Sequence, residues 1–255
     1  MLPVEGISRP PEPRLRGVCQ WCGKETVAKC GSQKTWHWAH LRPLECDPWW
    51  ENETQWHRDW KSLFPTEWQE VVHIDQETGE KHVADVKTER GLVIEFQHSN
   101  MPTEELRARE SFYKNMIWVV DGRSFAQNFD IDKDPLPHPK SQLLEEIVFH
   151  SGLASAFFKR SDLENEAGPL YELHRATTIE TQIRHDYRGH HFYKWKRPRD
   201  IWHQATAPVF LDFGTPELIR LMHYNPASQR CIQRVAKHSL VAKNGGHIEP
   251  LSDGA

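Results

Sequence analysis

The sequence predicts an α/β fold, a mixed sheet flanked by helices, with a small Cys/His-rich module in front of it and a mainly helical extension behind. Three observations predict it. Residues 18–50 are dense in Cys, His and Trp but too short to build a core of their own. Residues 51–125 read as helix, three strands, helix, strand, and the apolar runs beyond residue 126 read mostly as helices.

The elements follow in order. Residues 1–17 hold four prolines and no apolar period, so a flexible leader is expected there. From Asn52 to Phe64 the residues Trp56, Trp60, Leu63 and Phe64 recur at helical spacing, and Pro65 stops the run. Trp68–Ile74, Lys81–Lys87 and Gly91–Gln97 are rich in Val and Ile and are separated by the turn-like segments DQETG and TERG, which predicts a three-stranded antiparallel meander. Pro102–Lys114 opens with Glu104 and Glu105, where a helix N-terminus favours negative charge, and Met116–Val120 is a short apolar strand. In the extension, 126–243, DIDKDPLPHP reads as a loop and Ser141–Arg160 as a helix. Pro208–Gly214 reads as a strand leading into a helix at Pro216–His223, and residues 244–255 as a flexible tail.

Composition narrows the function classes. With 38% hydrophobic and 27% charged residues, the chain of 255 residues has material for a packed core and no global disorder signature. No stretch approaches a membrane span and the N-terminus lacks the apolar core of a signal peptide, so a cytoplasmic protein that avoids membranes is expected. The net charge of -4 gives no global attraction to nucleic acid, so any such binding must come from local basic patches.

Three constellations carry chemistry. The first is Cys19-x2-Cys22, Cys30, His37-x2-His40 and Cys46. Clustered thiols and imidazoles in a reducing compartment suit one tetrahedral Zn²⁺ better than a disulfide framework. Six candidates compete for four places; Cys19, Cys22, His37 and His40 are the preferred set, with Cys30 the first substitute.

The second constellation spans the first helix and the meander. Glu53, His57 and Lys61 follow at i, i+4 and i+8 and share one stripe, beside the apolar stripe of Trp56 and Trp60. Alternation puts Val83, Asp85 and Lys87 on one face of their strand, and Val93, Glu95 and Gln97 on one face of the next. Two acids in Val/Ile strands repel unless a cation joins them, and oxygen ligands of this kind suit Mg²⁺ or Mn²⁺. A solvated sheet surface is the alternative.

The third is Arg184–Arg199 (RHDYRGHHFYKWKRPR), with six Lys/Arg, one acid and interleaved aromatics. Lys194, Lys196 and Arg197 could neutralise phosphates while rings stack on bases, although a solvated surface segment is an equal reading.

The order Glu53, His57, Lys61, then Asp85, then Glu95-Phe96-Gln97-His98-Ser99, then Arg109 and Tyr113, then Ile117-Trp118-Val119-Val120, resembles the CoiA-like competence-protein family over residues 18–122. KWKRPRDIWHQATAPVFLDFG resembles it more loosely. The family is similar to the PD-(D/E)xK nuclease superfamily, and the resemblance implies a restriction-endonuclease-like fold. Its cysteine pair and H-F-A-H-like segment correspond here to Cys19, Cys22 and His37-Trp38-Ala39-His40. The usual lysine is Gln97, as in E-x-Q variants, which leaves the cationic role to Lys61 or Lys87.

The leading expectation is a divalent-metal-dependent deoxyribonuclease. Glu53, Asp85 and Glu95 would hold one or two Mg²⁺ or Mn²⁺ ions, Gln97 would orient water, and His57 would shuttle a proton or position the phosphate. DNA would be the partner, with a homo-oligomer or recombination and DNA-processing proteins as possible further ones. The rival is a non-catalytic, zinc-stapled nucleic-acid-binding or scaffold protein with a decayed nuclease core. A nuclease of the HNH kind, built on His37–Pro43, ranks third for want of a downstream partner motif.

Overall fold

Two units divide the chain in the computed structural model, which describes residues 2–4, 7–19, 22–32, 36–41, 49, 53–150, 153–164, 172–224 and 229–248. The first unit comprises Met1–Phe96, Met101–Ile117 and Val241–Ala255; the second comprises Gln97–Asn100 and Trp118–Leu240. The fold is α/β, with a large mixed sheet flanked by helices. No helix among the described residues is long and apolar enough to cross a membrane.

In the first unit, β1 (Leu2–Val4) and β2 (Ile7–Arg9) form a short antiparallel pair within the segment read as a leader. A three-stranded antiparallel sheet follows: β3 (Arg16–Val18), β4 (Glu25–Lys29) and β5 (His37–His40). Then come α1 (Gln55–Lys61), β6 (Gln69–Ile74), β7 (Lys81–Lys87), β8 (Val93–Gln97) and α2 (Thr103–Tyr113). β6, β7 and β8 pair antiparallel in sequence order, the meander expected from the alternation. Trp56 and Trp60 bury the apolar stripe of α1 against Phe96, with ring centroids 6.1 and 5.5 Å away. The last described residues also belong here: the His247 N–H donates to the Leu63 carbonyl at 2.7 Å.

The second unit holds most of β9 (Met116–Asp121), then β10 (Phe129–Ile131), β11 (Leu136–Pro137), α3 (Leu143–Glu146), β12 (Ile147–His150), β13 (Leu153–Lys159), α4 (Arg160–Glu164) and β14 (His174–Arg175). It continues through α5 (Glu180–Asp186), β15 (Tyr187–Trp195), α6 (Ile201–Gln204), β16 (Val209–Asp212), β17 (Glu217–His223), β18 (Arg230–Ala236) and most of α7 (Lys237–Lys243). Its sheet runs β10-β15-β18-β17-β16-β9, parallel between β9 and β16 and otherwise antiparallel.

The mainly helical extension is therefore a correction: this part of the chain is dominated by strands. Pro216–His223 carries apolar residues at 218, 219, 221 and 222, a spacing that mimics a helix. As β17 it lies between β16 and β18, and a strand packed on both faces loses the simple alternation that marks it in a sequence. Ser141–Arg160 likewise contains one short helix, after which the β-branched and aromatic run Ile147-Val148-Phe149 pairs with Phe157-Phe158-Lys159. Phe149 and Phe157 enter a core with Leu136, Ile183, Phe192 and Cys231.

One buried group in this unit has a price. His190 has no exposed surface, and neither ring nitrogen has a hydrogen-bond partner among the described residues. Burial, reinforced by His138 and Arg220, pushes its pKa down from 6.5 to about 4. The unfolded chain therefore takes up a proton below pH 6.5 that the folded one refuses until about pH 4, so stability is lost as pH falls through this window. Chemical denaturation should show a loss of about 2–3 kcal/mol between these limits that His190→Leu removes, and an unchanged slope in the variant would count against it.

Candidate functional site

β7 and β8 pair Lys87 with Val93 and Val86 with Ile94, and one step further in that register Asp85 faces Glu95. Here side chains replace part of the main-chain ladder. The Phe96 N–H donates to Asp85 Oδ2 at 2.9 Å, and the Asp85 N–H donates to Glu95 Oε1 at 3.2 Å. Each carboxylate is thus fastened to the opposite strand.

Glu95 is 3% exposed and accepts from Arg109 Nη1 at 2.9 Å. Arg109, on α2, also donates to Glu105 Oε1 through Nε at 3.0 Å and to the Trp49 carbonyl through Nη2 at 2.7 Å. Burial first, and the neighbouring Asp85 second, raise the Glu95 pKa well above the usual carboxylate range despite the pull of Arg109. A second negative charge beside Asp85 is costly here, and that is the condition a bound cation relieves.

The first helix is held differently from the sequence expectation. Thr54 N–H and Oγ1 lie 3.3 and 2.9 Å from His57 Nδ1, completing a capping box with histidine in the usual Glu or Gln place. His57 Nε2 lies 2.8 Å from the Phe96 carbonyl and therefore donates to it. Both ring nitrogens serve to cap α1 and fasten it to β8. Lys61 is buried between two acids, Glu53 and Glu70, with Glu70 Oε1 at 2.8 Å from Nζ. Glu53 also faces Arg58 at 3.7 Å.

Glu70 is a site residue that the sequence does not reveal. β6 and β7 pair Gln69 with Val86 and Val71 with Ala84, which sets Glu70 opposite Asp85. Glu70, Asp85 and Glu95 therefore stand in one row across three strands. Glu70 has φ +51°, a conformation that costs a non-glycine residue about 1–3 kcal/mol and that recurs at functional sites. Nothing in the run QEVVHI announces this. Arg109 enters the sequence reading only through the family resemblance, and its bond to Glu95 is not legible there.

The Cys/His cluster is better defined. β3 leads into a turn in which the Cys19 N–H donates to the Lys24 carbonyl and the Gly23 N–H to the Cys19 carbonyl, with Gly23 at φ +69°. The left-handed glycine lets the chain fold back and present both thiols. Ligand atoms of Cys19, Cys22 and His40 all lie within 4.8 Å of one another, and Cys22 Sγ is 3.2 Å from His40 Nε2. These three can hold a metal ion such as zinc. His37 does not join them: three residues from His40 on β5, it points to the other face, exposed and paired in register with Lys29. Cys30 follows Lys29, roughly 13 Å along the strand from Thr26, the residue facing His40. Cys46 lies outside the described residues.

No family model, curated protein or solved structure matches this chain. Among the described residues, Cys19, Cys22 and His40 form the one set of three His, Cys, Asp or Glu side chains close enough to share an ion, so Glu53 does not meet Asp85 and Glu95 at that range. Gln97 is buried at the end of β8 and donates to Ser99 Oγ at 3.1 Å.

Lys194 and Arg197 are exposed, and Lys196 faces Asp130 at 3.7 Å. The rings between these cations are already occupied. Tyr193 stacks on Phe129 at 4.8 Å and Trp195 on Phe125 at 5.2 Å, so the segment offers charge rather than free stacking surface.

Proposed function

We propose that the chain is a divalent-metal-dependent nuclease acting on DNA, with a restriction-endonuclease-like core of the CoiA-like kind and a separate structural zinc. The observation that carries the reading is the Asp85–Glu95 pair, two carboxylates facing each other across adjacent strands and each bonded to the other strand's main chain. Hard oxygen donors held rigidly in this way fit Mg²⁺ or Mn²⁺, and the raised Glu95 pKa marks a place where added positive charge is stabilising.

When bound, the ion would activate water and offset charge on the phosphate. The chain's own residues prepare the place for it. The Asp85 and Phe96 amides fix the carboxylate positions, and Arg109 orients Glu95 from the other side. Lys61, held between Glu53 and Glu70, is the cation nearest in role to the lysine of the superfamily. His57, with both nitrogens engaged, acts as a fastening for the helix that carries Lys61.

One observation favours the non-catalytic reading: Arg109 already neutralises Glu95, and Lys61 already neutralises Glu53. Cleavage decides between the two. Purified protein should nick plasmid or degrade single-stranded circular DNA with Mg²⁺ or Mn²⁺ and not without them. Inactivity toward both DNA forms, combined with no Mn²⁺ binding by calorimetry, would leave a zinc-stapled binding protein.

A further inference from the structure

A second polar cluster lies in the other unit, away from any carboxylate pair. β15 and β18 pair Phe192 with Cys231, so the next step sets Tyr193 beside Arg230, and β18 and β17 pair Arg230 with His223. Tyr193, Arg230 and His223 therefore stand in one row across three strands, on one face. The short helix α6 contributes Trp202, buried and edge-on to Trp118 at 5.6 Å, and then His203.

The His203 side chain is only 7% exposed, with Nε2 2.9 Å from the Tyr193 hydroxyl. Its Nδ1 makes no hydrogen bond; the Asp200 carboxylate lies 3.5 Å away but is 70% exposed on the solvent side. Between these groups is a cavity of about 50 Å³ with Tyr193, His203, His223 and Arg230 as its polar lining and an apolar wall that includes Trp202 and Leu221; no carboxylate lines it. Among the described residues Arg230 has no acidic partner.

We infer that this cavity takes a phosphate monoester, the phosphorylated end of a nucleic-acid strand. Three groups that carry or can carry positive charge face one space with no counter-charge inside it, and a dianion balances them. A guanidinium binds phosphate oxygens in bidentate fashion, and the tyrosine hydroxyl adds a donor. The volume admits one phosphate group and is far below the roughly 300–1,000 Å³ of a site for a larger ligand. Burial, followed by Arg230, holds the His203 pKa down, so an entering anion also relieves that repulsion. Arg197, exposed beyond the end of β15, suits the phosphates that follow the end. The phosphate site rests on the cavity alone; its assignment to a nucleic-acid end rests on the nuclease reading.

Fluorescence polarisation without added Mg²⁺ or Mn²⁺ tests it, using one oligonucleotide bearing a 5′-phosphate, a 3′-phosphate or hydroxyl ends, with inorganic phosphate as competitor. A phosphorylated end should bind roughly tenfold more tightly than the hydroxyl-ended strand, as expected for one charge-assisted bidentate contact. Inorganic phosphate at millimolar concentration should erase that preference. Arg230→Gln, at an exposed position that leaves the core intact, and His223→Gln should each remove it while leaving affinity for the hydroxyl-ended strand unchanged. Equal binding of all three strands with no effect of inorganic phosphate, or a preference that survives both substitutions, overturns the site. Competition by inorganic phosphate without end discrimination overturns the nucleic-acid assignment, whatever the outcome of the cleavage assay.

Discussion

Asp85→Asn and Glu95→Gln are each expected to lower Mg²⁺- or Mn²⁺-dependent DNA cleavage by roughly 10³-fold or more, the several kcal/mol of a lost catalytic metal. The amide variants are the informative ones. Asparagine at 85 can still accept from the Phe96 N–H, so that bond between β7 and β8 survives while the anionic donor goes; glutamine at 95 can still accept from Arg109 through its one oxygen but loses the bond from the Asp85 N–H. Alanine at 95 would instead remove an ion-pair partner of the buried Arg109, and a loss of about 1–3 kcal/mol of stability would blur the result. Melting temperatures should therefore stay near wild type for Asp85→Asn, fall somewhat for Glu95→Gln and fall furthest for Glu95→Ala. The lysine position has its own test: Gln97→Lys should retain part of the activity and Gln97→Ala should lower it. Wild-type cleavage by the Asp85→Asn/Glu95→Gln double variant, with contaminating nuclease excluded, would refute the site.

What could be read in advance follows from which patterns are local. The alternation in KHVADVK and GLVIEFQ is local, so the strands and the facing acids were legible, and the Trp56/Trp60 stripe marked α1 equally well. Glu70 was not legible, because its place depends on a positive φ and on which strand lies beside β6. His57 was misleading for a related reason: an i, i+4 stripe shows which residues share a helix face, but not that one of them is spent on the cap. In the second unit, Pro208–Gly214 was legible as the strand β16, but the β17 run is apolar on both faces, and only long-range pairing separates such a strand from a short helix.

Removing zinc is expected to have the largest effect on the fold of the first unit, and to separate two ligand sets that the sequence alone left open. The sheet β3-β4-β5 buries Thr26 and Ala28, with Cys19 buried just after β3, but has little apolar bulk, so metal binding is expected to supply much of its stability. Binding free energies of about 10–16 kcal/mol are typical of such sites. Elemental analysis should find about one zinc per chain in protein never exposed to chelator, as for a single structural site. Cys19→Ser, Cys22→Ser and His40→Ala should each reduce this severalfold and expose the module to proteolysis. His37→Ala should leave both stoichiometry and protease resistance unchanged, because the exposed His37 side chain points to the opposite face from the cluster. A zinc content near zero in the wild-type protein would sink the metal assignment outright. Zinc lost in His37→Ala as well as in His40→Ala would restore the ligand choice suggested by the H-x2-H spacing and overturn the one drawn from the strand geometry.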